Sequence, residues 1–230
     1  MLGFCAKDSI ILDFFSGSAT TAHAVMQLNA EDGGNRRFIC VQRPEVTDEK
    51  SEAYKAGYKN ICEIGKERIR RAGEKLTETD GQITMGEERQ SLDIGFKVFK
   101  LDSSNLKLWD GIPVRVGDGQ TYFDKVRAVI DGVKEDRPTI DVIYELVLKL
   151  GLPLTTAIEE KIVMGKTVYS ADDGLLLFCL ERDITAEFIE EMAEFAPAKI
   201  IVAETGFADD TAMANAHYIL KDLGIEIKLA

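Results

Sequence analysis

Several patterns that define common classes of protein are absent from this 230-residue sequence. The four cysteines are isolated, with no Cys-x-x-Cys pair, and there are only two histidines, so we predict neither a disulfide framework nor a metal site. The longest apolar runs, such as residues 174–180, are far shorter than the roughly 18 residues that a membrane-spanning helix needs. The N-terminus has no basic region followed by an apolar stretch. We therefore expect a cytoplasmic globular protein that does not contact a membrane.

Two nucleotide-binding signatures are also missing. No Lys follows the glycine of the DFFSGSATT segment as a phosphate-binding loop of the G-x-x-x-x-G-K-[ST] type requires, and the complete G-x-G-x-x-G of dinucleotide folds is absent. The segment is therefore not a phosphate-binding loop of that type, and a dehydrogenase is disfavoured.

The charge of the chain is unevenly distributed. The formal net charge is −12, which argues against a whole surface built to bind nucleic acid, because phosphate binding needs clustered Lys and Arg. Residues 1–80 contain twelve basic and thirteen acidic side chains, whereas residues 81–230 contain sixteen and twenty-seven. The first part is therefore compatible with a position beside DNA, and the second part is suited to another role.

The first part reads as a β-strand, a tight turn and a helix, followed by a second strand. Residues 9–15 are an apolar, β-favouring run, residues 16–19 are small, and residues 20–29 have a helical pattern. Residues 31–35 form a turn cluster, and residues 38–42 indicate another buried strand. A helix between two such strands predicts a βαβ unit and a parallel sheet.

A longer helical region follows Pro44, and its two faces differ in character. Its apolar positions Ile61, Ile64, Ile69 and Ala72 share one side. The other side is basic and carries Lys66, Arg68, Arg70, Arg71 and Lys75. This basic side either contacts DNA phosphates or a partner, or is simply exposed to solvent, as charged helix faces usually are. The polar residues 77–88 indicate a domain boundary. We predict a first domain over residues 1–80, a linker over 81–95 and a second domain over 96–230.

The second domain is also predicted to be α/β. We expect strands at residues 96–101, 175–180, 199–203 and 226–229, helices at 139–150, 185–195 and 209–223, and a hairpin that pairs 161–163 with 167–169.

The segment DFFSGSATT carries the functional signal. Small residues between a strand and a helix let a ligand approach the backbone, while the helix N-terminus offers free N–H groups to an anion. The segment adds an Asp at the strand end and two Thr at the helix start.

The longer run DFFSGSATTAHAVMQLNAEDGGNRRFICVQRPE resembles the cofactor motif of adenine-N6 DNA methyltransferases in which this motif follows the catalytic one. More narrowly, it resembles the modification subunit of type III restriction-modification systems. The likeness continues through EAYKAGYKNICEIGKERIRRAGEKL, GFKVFKLDSSNLKLWD and ELVLKLGLPLTTAIEEKIVMGKTVYSADDGLLLFCLER. It implies S-adenosylmethionine as cofactor and a partial Rossmann-like methyltransferase lobe, followed by a smaller mixed α/β domain.

The resemblance also assigns the cofactor-binding residues. The wall around the methionine part of the cofactor is formed by Asp13, Phe15, Ser16, Gly17 and Ser18. Thr20 and Thr21 meet its carboxylate, and either Gln42 or Glu45 holds the ribose hydroxyls. One position departs from the G-S-G pattern: Ala19 places a methyl group where glycine is usual, which costs roughly 1 kcal/mol if the backbone there needs a positive φ.

The catalytic D/N-P-P-Y/F/W motif of the resembled family is absent, because none of the five prolines is adjacent to another. In that family the motif and the DNA-recognition region lie upstream, so we interpret the chain as a C-terminal fragment or a natural truncation without catalytic residues. We expect it to bind S-adenosylmethionine weakly and not to methylate DNA alone.

Partners follow from the same resemblance. DNA would be bound through the missing upstream part, and the acidic second domain would associate with a second modification subunit and a restriction subunit. An alternative interpretation is a non-catalytic assembly module with a vestigial methyltransferase lobe. For His23, Trp109 and the group Glu181, Arg182 and Asp183, we favour structural roles over ligand binding or acid–base chemistry.

Overall fold

A computed structural model describes residues 5–80, 92–107, 132–134 and 136–229. The chain forms two compact units, residues 1–98 and residues 99–230. Trp109 and most of the predicted linker lie outside the described residues. The role assigned to each predicted domain stays a prediction.

The first unit contains a two-stranded parallel sheet and two long helices. Strands β1 (Ile10–Asp13) and β2 (Arg37–Cys40) pair in the register Ile10 with Arg37 to Asp13 with Cys40. Helix α1 (Thr20–Asp32) connects them, a short helix α2 (Glu52–Lys55) follows, and α3 (Ile61–Asp80) closes the unit. The predicted strand-helix-strand order and the parallel pairing are confirmed. Helix α1 runs three residues further than predicted and ends at Gly33, whose φ of 65° suits a C-terminal cap.

The core of the first unit lies between α1, α3 and one face of the sheet. Ala22, Met26 and Ile69 are buried there, and Phe38 and Cys40 pack against them from β2. Ile94 and Phe96 join the same cluster, although residue 94 falls in the predicted linker. Gly73 of α3 leaves room for two neighbours, because a Cβ there would lie 3.0 Å from the Cβ of Ile94 and 3.3 Å from Cε of Met26 in α1.

The second unit is built on a five-stranded mixed sheet in the order β3-β4-β5-β6-β7. The strands are β3 (Ile158–Val163), β4 (Lys166–Ala171), β5 (Leu176–Cys179), β6 (Lys199–Val202) and β7 (Glu226–Leu229). The first three are antiparallel and the last three parallel. Helix α4 (Thr139–Lys149) covers one face, and α5 (Ala186–Ala193) and α6 (Asp210–Asp222) cover the other. The predicted hairpin, helices and later strands are confirmed, and the fold class is mixed α/β.

The predicted strand at residues 96–101 is wrong, because these residues form no strand in the described part of the chain. Phe96 packs against the core of the first unit, with the Arg70 guanidinium 5.9 Å from its ring centre. Phe99 is 45% exposed, and its ring meets Tyr144 of α4 edge-on at 4.9 Å. Single side-chain contacts, without strand pairing, therefore hold these two rings.

A polar cluster anchors residues 102–105 to α4 in the second unit. The Glu145 carboxylate accepts hydrogen bonds from Ser104 Oγ at 2.5 Å and from the backbone N–H of Asn105 at 2.7 Å. Arg137 donates to Asp102 Oδ2 at 2.8 Å, and hydrogen bonds with this guanidinium hold the pKa of Asp102 at about 2. These bonds satisfy the half-buried Glu145 carboxylate and fix a segment that lacks regular secondary structure.

Candidate cofactor site

The turn between β1 and α1 contains two residues in the left-handed conformation, Gly17 with φ 52° and Ala19 with φ 59°. Ala19 is the N-cap of α1, and its backbone N–H donates to Ser16 O at 2.8 Å, which closes the turn. Glycine adopts this conformation without strain, but alanine pays roughly 1 kcal/mol for it. The positive φ anticipated for position 19 is therefore present.

Asp13 and Thr21 hold the two ends of the turn together. Thr21 Oγ1 donates to Asp13 Oδ2 at 2.5 Å, and the backbone N–H of Phe15 donates to Asp13 Oδ1 at 3.3 Å. Both carboxylate oxygens of Asp13 thus accept hydrogen bonds from its own loop. The predicted site residues Asp13 and Thr21 are brought together, with their polar atoms directed at each other.

Gln42, immediately after β2, also supports the turn. Its side-chain Oε1 accepts a hydrogen bond from the backbone N–H of Gly17 at 2.8 Å, and its Nε2 donates to Arg43 O at 3.0 Å. The sequence placed Gln42 in the site but did not predict this contact, because an amide 25 residues away carries no local signal. Glu45 lies further along an exposed loop, where its backbone carbonyl accepts from Ile61 N–H at 3.0 Å.

The remaining predicted residues leave polar groups at the start of α1 available. Helix α1 has no side-chain N-cap hydrogen bond, and while the Ala22 N–H faces the Cys40 thiol, the N–H groups of Thr20 and Thr21 are placed to meet an anion. Thr20 is exposed, Ser16 and Ser18 are half-buried, and the Phe15 side chain is 83% exposed with its ring 5.0 Å from that of Phe14. This arrangement suits a small anionic group such as a carboxylate.

The thiol of Cys40 lies below the turn on the buried face of the sheet. Burial and the nearby Asp13 carboxylate raise its pKa, so the group stays a neutral thiol at physiological pH. Among the described residues no cluster of His, Cys, Asp or Glu is suited to hold a metal ion. Nor does any helix in the described ranges have the length and apolar character to cross a bilayer.

Comparison with known proteins finds type III Mod subunits and a type II methyltransferase as relatives, although no protein-family model matches the chain. It is 34% identical over 204 residues to the Mod subunit of the type III restriction-modification enzyme EcoPI of Escherichia phage P1, a match to 85% of this chain and 28% of that protein. The Mod subunit of the Escherichia coli enzyme EcoP15I is 32% identical over 218 residues, covering 88% of this chain and 29% of its own length. The type II methyltransferase M.KpnI of Klebsiella pneumoniae is 46% identical over 57 residues, 25% of this chain and 14% of that protein.

The chain is thus related to the modification proteins of restriction-modification systems. Within them it is homologous to a part of the type III Mod subunits, which confirms the resemblance seen in the sequence. It spans less than a third of the length of these two curated relatives.

Proposed function

We propose that this chain is the S-adenosylmethionine-binding portion and C-terminal domain of a site-specific adenine-N6 DNA methyltransferase, the modification subunit of a type III system. The observation that carries the proposal is the turn between β1 and α1, where an uncapped helix start follows a glycine-containing loop. The homology to Mod subunits supports the same assignment.

The residues of the turn divide into two groups under this proposal. Thr20 and the first N–H groups of α1 bind the cofactor carboxylate, while Phe15, Ser16, Gly17 and Ser18 line its methionine part. Asp13, Thr21 and Gln42 hold the loop in shape, since their polar atoms are already hydrogen-bonded within it. Glu45 then remains to accept hydrogen bonds from the ribose hydroxyls. When bound, the cofactor supplies the methyl group.

We propose further that the isolated chain does not methylate DNA. It contains no D/N-P-P-Y/F/W tetrapeptide, which in the resembled family holds a flipped base and stacks on it. The Mod relatives are more than three times as long as their matched segments, which leaves room for this motif and for the residues that recognise DNA.

The uncovered face of the first sheet supports an incomplete methyltransferase domain. Four apolar side chains from β1 and the end of β2 lie on the face opposite α1 and are 51–59% exposed: Ile10, Leu12, Ile39 and Val41. Phe14, just after β1, is exposed as well. Parallel sheets are normally buried on both faces, because helices cover each side. We propose that the upstream part of the methyltransferase domain covers this face.

Isothermal titration with S-adenosylmethionine tests the proposal. We expect the isolated chain to bind weakly, and Thr20→Val to weaken binding further. Affinity in the low micromolar range or tighter would contradict the requirement for the upstream part. A fusion of the chain to the upstream portion of the EcoP15I Mod subunit should bind more tightly, and no gain would argue for the vestigial lobe of the alternative interpretation.

For the second unit we propose an assembly role, with a second modification subunit and a restriction subunit as partners in the bacterial cytoplasm. The unit has hydrophobic cores on both faces of its own sheet, and its described residues offer no metal site. Size-exclusion chromatography with light scattering measures self-association. A strict monomer at high concentration would count against association of modification subunits through this unit.

A further inference from the structure

A cleft of about 320 Å³ lies beside α1 and α3 in the first unit. Ile64 and Ala72 form its apolar part. Its polar lining comes from α1, the loop before α3 and α3 itself: His23, Tyr58, Glu67, Arg68, Arg71 and Lys75. Three of these side chains are basic and one is acidic, so the cleft is positive in a chain whose net charge is −12.

Two of the cationic groups differ in how they are held. Arg71 Nε donates to Glu67 Oε1 at 2.7 Å, and Arg71 Nη2 donates to the Tyr58 hydroxyl at 3.3 Å. The hydrogen bond from Arg71 lowers the pKa of Glu67, and the positive charge of Arg70 adds to this effect while burial opposes it. The Glu67 carboxylate therefore stays ionised. Arg68 has no ion pair or hydrogen bond among the described residues, so one guanidinium faces the cleft without an internal partner.

Ion pairs within α3 engage the other charged side chains at the start of this face. Glu63 pairs with Lys66 at 2.6 Å, and Glu67 is shared by Arg70 and Arg71. Both acidic side chains, Glu63 and Glu67, are therefore paired with basic side chains other than Arg68. Arg68 has no such partner in the described part of the chain, whereas the guanidinium of Arg71 is held by Glu67 and Tyr58.

We propose that this cleft binds the phosphates of double-stranded DNA, a contact that rests on the proposed function for its ligand but is separate from the cofactor site. Arg68, Arg71 and Lys75 are spaced three and four residues apart, so they lie on one side of α3. They span about 10 Å along the helix axis. One DNA strand carries a phosphate about every 3.4 Å of axis, so this row spans about three phosphates, of which Arg68 would contact one while Arg71 is also held by Glu67. The contact fixes the position of the duplex and reads no bases.

Fluorescence anisotropy with a labelled 30-base-pair duplex, without cofactor, tests the proposal on the full chain at several salt concentrations. Wild type is expected to bind with a salt-dependent Kd. Arg68→Gln is expected to raise the Kd about fivefold at low salt and to reduce the salt slope by about one. Arg68→Lys, which keeps the charge, should retain most of the binding. The matched control is Arg37→Gln on the exposed end of β2, outside the cleft, which should bind as wild type does.

The proposal is overturned if Arg68→Gln and Arg37→Gln lower DNA affinity equally, or if wild type does not bind the duplex at low salt. It is also overturned if inorganic phosphate competes as well as the duplex does at equal phosphate concentration, because a site for one free anion would then suffice. Circular dichroism of each variant checks folding. Since no cofactor is present, a negative result here leaves the titration with S-adenosylmethionine as an independent test of the proposed function.

Discussion

The methyl group of Ala19 packs directly against Gly65 of α3: a Cβ built on Gly65 would lie 3.3 Å from the Ala19 Cβ. Ala19 is 4% exposed and in the left-handed conformation, so it has little freedom to move away. The departure from glycine at position 19 is thus accompanied by a glycine on the facing helix. The two positions together set how closely the turn between β1 and α1 approaches α3.

In a double-mutant cycle at these two positions, the effect of Gly65→Ala on the free energy of unfolding should change sign when Ala19 is replaced by glycine. Gly65→Ala gains helix propensity, but it crowds Ala19, so we expect it to lower the free energy of unfolding by about 1 kcal/mol. In an Ala19→Gly background the crowding is gone, and Gly65→Ala should raise the free energy of unfolding by about 1 kcal/mol. Urea unfolding followed by circular dichroism measures all four proteins. Additive effects would mean that the two positions do not interact.

The paired threonines at the start of α1 should separate loop stability from ligand binding. Thr21→Val removes the donor to Asp13, and we expect the free energy of unfolding to fall by about 1 kcal/mol. Thr20 is exposed, so Thr20→Val should leave stability unchanged within about 0.5 kcal/mol. Urea unfolding provides the comparison. Equal losses for both variants would contradict the role given to the Thr21–Asp13 bond.

The contact between Gln42 and Gly17 can be tested without any cofactor. In Gln42→Ala the Gly17 N–H loses its acceptor, and its hydrogen exchange should accelerate about fivefold, as expected for the loss of a bond worth about 1 kcal/mol. Gln42→Glu keeps an acceptor oxygen and should retain the protection. The measurement is exchange of the Gly17 amide by NMR.

An internal reference is available for that measurement. The Val41 N–H donates to Asp13 O at 2.8 Å beside β1 and should exchange at the same rate in all three proteins. Unchanged Gly17 exchange in Gln42→Ala would show that the amide is not held by this side chain.

The strand-turn-helix path of the first unit was predictable from residues 9–29, because an apolar β-favouring run, small residues and helical spacing are local patterns. The sequence predicted what a positive φ at Ala19 would cost but not that Ala19 has one, since the sequence does not show which small residue takes the left-handed conformation. The bond from Gly17 to Gln42 was not predictable, as it depends on the parallel pairing of β1 with β2. Predicted ligand roles for Asp13, Thr21 and Gln42 therefore need to be weighed against bonds within the loop.

In the second unit, too, the sequence predicted the local elements but not the contacts between distant segments. Its hairpin and later strands follow from apolar runs between turns, but the mixture of apolar and basic side chains in residues 96–101 indicated a strand that does not form. Val98, Phe99 and Leu101 are exposed and the segment pairs with no strand among the described residues, and a strand needs a pairing partner that the local sequence does not reveal. The polar cluster around Glu145 also joins segments about 40 residues apart and left no local pattern.

Glu145 provides a prediction for the pH dependence of stability. Burial opposes its ionisation, but hydrogen bonds from Ser104 and Asn105 and the Lys149 ammonium outweigh burial and lower its pKa from 4.5 to about 2. Because the folded pKa lies below the unfolded one, the carboxylate stabilises the fold above about pH 4.5, and this contribution is lost as the pH falls towards 2. Glu145→Gln should therefore be less stable than wild type at pH 7.

The difference in the free energy of unfolding between wild type and Glu145→Gln should shrink between pH 7 and pH 3.5, because below pH 4.5 the carboxyl becomes protonated in the unfolded chain while it stays ionised in the folded one. Urea unfolding at the two pH values measures it. Glu160→Gln, an exposed position on β3, is the matched control and should follow wild type at both. A gap between wild type and Glu145→Gln that stays constant with pH would contradict ionisation as the cause, and would assign the loss to altered hydrogen-bond geometry around Ser104 and Asn105.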